Sequence, residues 1–420
     1  MSAEREHWKE LLPAKVLYIV SNIGASATIN FLPVFFSTHF DKFQIGVLQT
    51  IPAICSILAP PLWGAISDVL QRQRLIHILC LVTGTTLMFL VQFISSSFLW
   101  TCSMVFIANF QGNPAQSLQD QAILSLVTRL NAEYGKQRLY GAVGYGIGAY
   151  VAGLIVANYG ISWAFNMNLI FLFPTLLVLQ QIPPSDSAHY SVQNSPSSDT
   201  LDSPSFVQGL HTLSKRKDVL GLLFLVLPIG VMWGTMSAFL TLNLYELSGG
   251  NAQIVGIAIF CETFSELPAF YFADTLIDKL GTVKVLLISI LAHGARLTCY
   301  ALMTNPWVAM PFELLHGCTF GLAWAACTKY IYAAAPNGTK GTMMGVLSAV
   351  QNGIGRAAGT MFGGYIYNTY GASVMWKITD LGVPVSLLGL YIFSCTLKQP
   401  EADQDTIKKV PTDKDHLLGV

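Results

Sequence analysis

The sequence predicts an all-α membrane protein of twelve transmembrane helices in two related six-helix bundles. Three observations carry this. Hydrophobic residues make up 53% of the chain and charged ones 11%, against about 25% charged in an ordinary soluble domain. Apolar stretches long enough to cross a bilayer as helices recur along the chain. Short motifs recur at matching places in the two halves, as in a duplicated fold. The strands of a membrane barrel would be about ten residues long with alternating polarity, a different pattern.

The apolar stretches fall near 13–36, 44–66, 75–97, 98–127, 137–158 and 161–181, then near 219–243, 252–275, 283–304, 306–334, 341–367 and 372–396. Between the sixth and seventh, Pro183, Pro184, Pro196, Pro204 and many serines lead to Lys215-Arg216-Lys217, the composition of a flexible linker. The chain therefore divides into a first bundle at 1–181, a linker at 182–217, a second bundle at 218–397 and a polar, disordered tail at 398–420.

Formal net charge is zero, but its distribution is uneven. Arg5, Lys9, Lys15, Arg72, Arg74, Arg129, Lys136, Arg138, Lys215 to Lys217, Lys279, Lys284, Lys340 and the tail lysines fall at the termini and even-numbered connections. The opposite side has only Lys42 and Lys377. The positive-inside rule then makes this a multi-pass protein with both termini cytoplasmic, which requires an even number of spans. The polar N-terminus and long first apolar run argue against a cleavable signal peptide. Asp413 to Leu418 fits an acidic dileucine address, so the membrane is either the plasma membrane or an endosomal or vacuolar one. The sequon at Asn337 falls on the cytoplasmic side, where it would go unused. The eight cysteines are scattered singly, without metal-ligand spacing.

The halves repeat each other. Gly64-Ala-Ile-Ser-Asp68, followed by Arg72 and Arg74, comes after helix 2, and Asp274-Thr-Leu-Ile-Asp278-Lys279 comes after helix 8. Helix 5 carries Gly141, Gly144, Gly146, Gly148 and Gly153 and ends at Gly160. Helix 11 carries Gly353, Gly355, Gly359, Gly363 and Gly364 and ends at Gly371. Small residues at such spacing let helix backbones approach closely in lipid.

The Gly64, Asp68, Arg72, Arg74 pattern resembles the helix 2–3 signature of the major facilitator superfamily. That resemblance implies a conformational latch, with Asp278 and Lys279 in the second copy. A narrower resemblance is to lactose-permease-type sugar/proton symporters and their nucleoside-carrying relatives. It rests on Arg138-Leu-Tyr-Gly141-Ala-Val-Gly144-Tyr145, on Asp120 eighteen residues before Arg138, and on Arg296, Leu315-His316 and Lys329-Tyr330-Ile331. It implies that Arg138 grips a sugar, that Tyr145 stacks on its ring, and that Arg296 and His316 serve coupling. The departures are Thr263, Thr319 and Asn352, which stand where that group has ionisable residues.

A charge inside a membrane helix costs roughly 2.5–3.5 kcal/mol on insertion scales and should face protein or water. Asp120 and Arg138 lie at equal distance from the helix 4–5 connection, so antiparallel helices hold them at comparable depth. They are a candidate substrate fork or a plain ion pair. Glu262 and Glu266 share one face of helix 8, and Glu313 and His316 one face of helix 10. With Arg296 these are candidates for proton coupling. Arg356 reads as packing at a glycine-rich crossing. Asn22, Gln116 and Trp233 are further substrate-binding candidates, since amides and flat aromatic faces suit a hydroxylated, largely uncharged solute.

The expected function is secondary transport of a small organic solute, sugar- or nucleoside-like, coupled to protons, by a monomer in the lipid bilayer. No enzyme motif, catalytic residue, metal site, cofactor or nucleic-acid partner is expected, and no nucleotide-binding loop is present. An uncoupled facilitator or exporter of the same fold, and a receptor or scaffold that has lost transport, remain as alternatives.

Overall fold

The computed structural model describes residues 7–70, 72–130, 132–183, 216–335 and 340–397. The linker, the tail, the sequon and the dileucine address lie wholly or largely outside them. The first bundle comprises α1 (Trp8–Phe36), α2 (Lys42–Leu70), α3 (Gln73–Ile94), α4 (Phe98–Arg129), α5 (Tyr134–Tyr159) and α6 (Trp163–Gln181). The second begins with α7 (Lys217–Leu247), α8 (Ala252–Leu280) and α9 (Thr282–Leu302).

The last three rods are compound. In α10 a 3-10 turn (Pro306–Ala309) and a short α turn (Met310–Glu313) lead to a π segment (Gly317–Leu322) and an α segment (Ala323–Ala334). In α11 a π segment (Ala349–Gly355) separates Lys340–Ser348 from Arg356–Tyr370. The rod α12 joins Ala372–Asp380 to Gly382–Leu397.

Nine helices among the described residues are long and apolar enough to cross a bilayer on length and composition alone. The other three rods, α4, α10 and α11, complete the twelve. They miss that criterion for physical reasons. Gln111, Asn113, Gln116, Gln119 and Asp120 lower the hydropathy of α4, and π segments divide α10 and α11. Such segments widen the helix by one residue per turn and occur mostly at functional sites.

Several helices run past the apolar stretches. The turns holding Gly64 and Asp68, expected after helix 2, lie inside the last two turns of α2. Asp274 and Asp278 likewise lie inside α8. Charged residues at a helix end continue the backbone hydrogen bonding beyond the apolar core, so hydropathy ends before the helix does.

The repeated glycines make equivalent contacts in the two halves. A Cβ at Gly144 would meet Ile19 Cα of α1 at 2.7 Å, and one at Gly148 would meet Ile23 Cα at 2.6 Å. In the second half a Cβ at Gly355 would meet Gly230 Cα of α7 at 2.9 Å, and one at Gly234 would meet Arg356 Cα at 2.8 Å. The glycine-rich fifth helix of each half thus lies against the first helix of that half. Both glycine-rich helices end on a positive-φ glycine, Gly160 at +95° and Gly371 at +85°, which stops the helix without steric cost.

Two further seams join the halves. A Cβ at Gly153 on α5 would lie 3.0 Å from Gly256 Cα on α8, and one at Gly364 on α11 would lie 3.0 Å from Gly46 Cα on α2. Both lie toward the face opposite the linker. There Thr50 and Thr360 share a 2.7 Å hydrogen bond, and the Lys42 N–H donates to Asn368 Oδ1 at 3.3 Å. Lys42 Nζ also pairs with Glu246, which accepts from Tyr367 OH at 2.6 Å. The halves are therefore clasped at the face opposite the linker.

Gly144→Val should overpack the α1–α5 seam at a cost of about 1–3 kcal/mol. Thermal unfolding in detergent should show a clear drop in Tm. Gly135→Ala, where a Cβ meets nothing within 4 Å, is the matched control and should be near neutral.

Candidate functional site

In the first half, Asp120 collects three donors. Arg138 Nη1 donates to its Oδ2 at 2.8 Å, and Tyr18 OH and Gln116 Nε2 donate to its Oδ1 at 2.7 and 3.0 Å. The Tyr134 hydroxyl accepts from Arg138 at 3.1 Å and lies 3.3 Å from the Tyr18 oxygen, to which it can give its own proton while Tyr18 donates to Asp120. Arg138 is 57% exposed and Asp120 21%, so the guanidinium edge stays open to the space between the halves. The structure brings together the expected Asp120, Arg138 and Gln116 and adds two tyrosines. Tyr134 stands one helical turn before Arg138, a legible spacing. Tyr18, on α1, carries no sequence signal.

Tyr145 lies two turns further along α5, and its hydroxyl donates to Asn30 Oδ1 on α1 at 3.1 Å. Asn22 is turned toward the helix seam: its Nδ2 donates to Tyr18 O at 2.9 Å and lies against Gly141. That bond leaves one Nδ2 proton and the carbonyl oxygen uncommitted.

In the second half, all five N–H groups of Arg296 have partners. Nε donates to Tyr300 OH at 2.8 Å. Nη1 donates to His316 Nδ1 at 2.8 Å and Thr319 Oγ1 at 3.0 Å. Nη2 donates to Glu262 Oε1 at 2.6 Å and Glu313 Oε2 at 2.5 Å. The Tyr300 hydroxyl passes its own proton to Glu313 Oε1 at 2.7 Å. Arg296 is 1% exposed and Glu313 fully buried, so Glu313 is not solvated at a pore mouth.

The His316 ring lies between two acids and the guanidinium: Nε2 is 2.9 Å from Glu266 Oε1, and Nδ1 is 3.4 Å from Glu262 Oε1 as well as 2.8 Å from Arg296 Nη1. Arginine has no acceptor to offer, so a bond from Arg296 needs an unprotonated Nδ1, whereas a bond to Glu262 needs a protonated one. All five proton-coupling candidates, Glu262, Glu266, Arg296, Glu313 and His316, therefore form one network. Thr319 fills a donor slot with its hydroxyl. Tyr300, one turn after Arg296, completes the set and was legible by spacing alone.

The π segment of α10 follows His316 directly. Gly317 approaches α8 so closely that a Cβ would lie 2.8 Å from Ser265 C, and its N–H donates to Ser265 Oγ at 2.9 Å. Phe320 stacks on His316 and on Trp233 of α7, each at 5.7 Å between ring centres. Trp233 is thus tied to the Arg296 network through one phenyl ring. Asn352, in the π segment of α11, donates to Ser348 Oγ at 3.3 Å.

The latch candidates separate. Arg74 does not reach the other half; its Nη2 donates to the carbonyls of Leu179 at 2.9 Å, Gln180 at 2.7 Å and Ile182, closing the C-terminal end of α6. Free carbonyls at a helix end are a natural site for a guanidinium. Asp278 pairs at 2.7 Å with Lys329 of α10, within its own half, and Lys329 also reaches Asp274 at 3.1 Å. Arg72 and Lys279 are exposed, and Gly64 has open space where a Cβ would go. The side chain of Asp68 lies outside the described residues.

Comparison with known proteins gives a consistent result. The model of the MFS_1 like family matches residues 12–378. The chain is 25% identical to the uncharacterized transporter YwbF of Bacillus subtilis, covering 94% of this chain and 97% of that one. It is 26% identical to a maltose permease of Geobacillus stearothermophilus, covering 83% and 85%. Among solved structures, the nucleoside transporter NupG superposes with a TM-score of 0.76 at 16% identity, over 93% of this chain and 99% of that one. The twelve spans, the duplicated glycine seams and a family match over most of the chain lead to one conclusion: this protein is a small-solute transporter of the major facilitator superfamily and belongs to its MFS_1 like family.

Proposed function

We propose that the protein is a proton-coupled secondary transporter of a hydroxylated solute of the sugar or nucleoside class. One observation carries the coupling: the Arg296 network sets one guanidinium and one imidazole against three carboxylates. Unbalanced charge in a low-dielectric interior is costly, so Glu262, Glu266 and Glu313 together have room for a proton. Protonation of His316 Nδ1 is incompatible with the bond it accepts from Arg296. A proton arriving there breaks a link between α9 and α10 and biases the second bundle toward its other arrangement.

On this reading the solute enters the space between the halves and meets Arg138 and Asp120, whose fork and carboxylate match vicinal hydroxyls. Tyr145, Gln116 and Trp233 supply further polar and aromatic surface. The names of the maltose permease and the nucleoside transporter support a polyhydroxy solute. The lysine and arginine distribution supports a cytoplasmic linker face, and the contacts of Lys42, Glu246 and Tyr367 support a state closed on the other.

In proteoliposomes, radiolabelled maltose or uridine should accumulate when the outside is made acidic. Glu313→Gln should abolish that accumulation while leaving solute exchange at equal pH intact. Entry that ignores the pH gradient would mean an uncoupled facilitator. Arg138→Ala removes a charge-assisted fork, about 1.5–3 kcal/mol, and should cut uptake roughly 10- to 100-fold with an unchanged melting temperature. Undiminished flux in that variant would remove Arg138 from the substrate site.

A further inference from the structure

Arg356 is a mid-span guanidinium that makes no ion pair or hydrogen bond with any described residue. The two other guanidiniums inside the bundles meet carboxylates, Arg138 at Asp120 and Arg296 at Glu262 and Glu313, and Arg74 is spent on backbone carbonyls. Arg356 instead lies over the Trp233 indole, 4.6 Å from its centre, and its Nε is buried without an acceptor. An unpartnered cation at this depth is costly in lipid, and such residues mark substrate or ion pathways.

Its place in the fold is specific. Arg356 begins the α segment that follows the π turn of α11, and its backbone is pressed against Gly234 of α7, next to Trp233. Contacts of Gly353 with Ile57 and of Thr360 with Thr50 put it near the middle of α2, on the seam between the halves. The backbone of Asp68 lies about 20 Å further along α2 at 1.5 Å per residue. Across the seam, the Tyr145 phenol is close enough to interact with it electrostatically. A guanidinium stacked flat on an indole keeps its N–H edge in plane and free, a fork shaped for carboxylate or phosphate oxygens.

Resting on the transporter reading above, we infer that Arg356 anchors an anionic group, a carboxylate or phosphate, on the transported solute. The solute is then an acidic derivative of the polyhydroxy class: its hydroxyls lie toward Asp120 and Arg138 in the first half, and its anionic end lies on Arg356 against Trp233. Phe320 bridges Trp233 to His316, so an anion at Arg356 adjoins the ring that gates the proton network.

Matched pairs of neutral and acidic solutes test this. Glucose with glucuronate, and uridine with uridine 5′-monophosphate, are titrated into the purified full-length protein, with binding read by scintillation proximity. At least one acid should bind roughly tenfold or more tighter than its neutral partner, and which acid does so distinguishes carboxylate from phosphate. In Arg356→Gln the preference should fall to within about twofold, and Arg356→Lys should keep part of it; melting curves of both variants verify folding. Absence of acid preference in both pairs, or a preference that survives in Arg356→Gln, overturns the anchor. Uptake of glucose or uridine with no acid preference sinks the anchor and leaves the transporter reading standing. Acid binding without flux does the reverse.

Discussion

Arg296 has five donors and is almost fully buried, and three helices of the second half are arranged to supply its acceptors. Glu262 comes from α8, Tyr300 from the guanidinium's own helix, and Glu313, His316 and Thr319 from α10. The short opening turns of α10 and the π segment after His316 follow from this demand. A regular helix would bring the residues of positions 313, 316 and 319 onto one stripe, and the widened turn lets Gly317 settle against Ser265 while that stripe faces Arg296.

The two halves share a frame and use it differently. Each packs a glycine-rich fifth helix on its first helix and meets the other half along one glycine seam. The first half then places its charges near the linker face, where Arg138 is more than half exposed. The second buries its charges among three helices. Solvated charge can rearrange around a solute at little cost, whereas buried charge can change only in discrete exchanges of partner. On the proposed reading, a division of labour between a binding half and a coupling half would follow from that difference in burial.

The fold was legible because lipid enforces it. Twenty-residue apolar runs, glycine spacing and lysine placement are consequences of a water-free layer that any sequence must obey. Asp120 with Arg138, and Glu313 with His316, were legible from helical period and symmetric distance about a turn. Tyr18 was not, since nothing in a lone tyrosine on α1 says which carboxylate it meets. Arg74 was misleading: its motif speaks of a latch, but the carbonyls it satisfies belong to a helix end more than a hundred residues away. Arg356 sits at the glycine crossing that the sequence suggested, yet the crossing concerns its backbone, and its side chain has other business over Trp233. Pattern reads backbones and faces; it does not read which way a long side chain turns.

The seams where Gly46 meets Gly364 and Gly153 meets Gly256 have one more consequence. Surfaces built from interlocking side chains must disengage like gear teeth, each rotamer clearing its socket before anything moves. Two bare backbones in contact have no teeth. They can roll or part and close again with no repacking of their own, much as a smooth bearing does. The bonds around Lys42, Glu246, Thr50 and Thr360 then hold the far face shut together with the buried apolar cluster that Phe36, Ile45 and Leu48 share with Phe239 and Leu240.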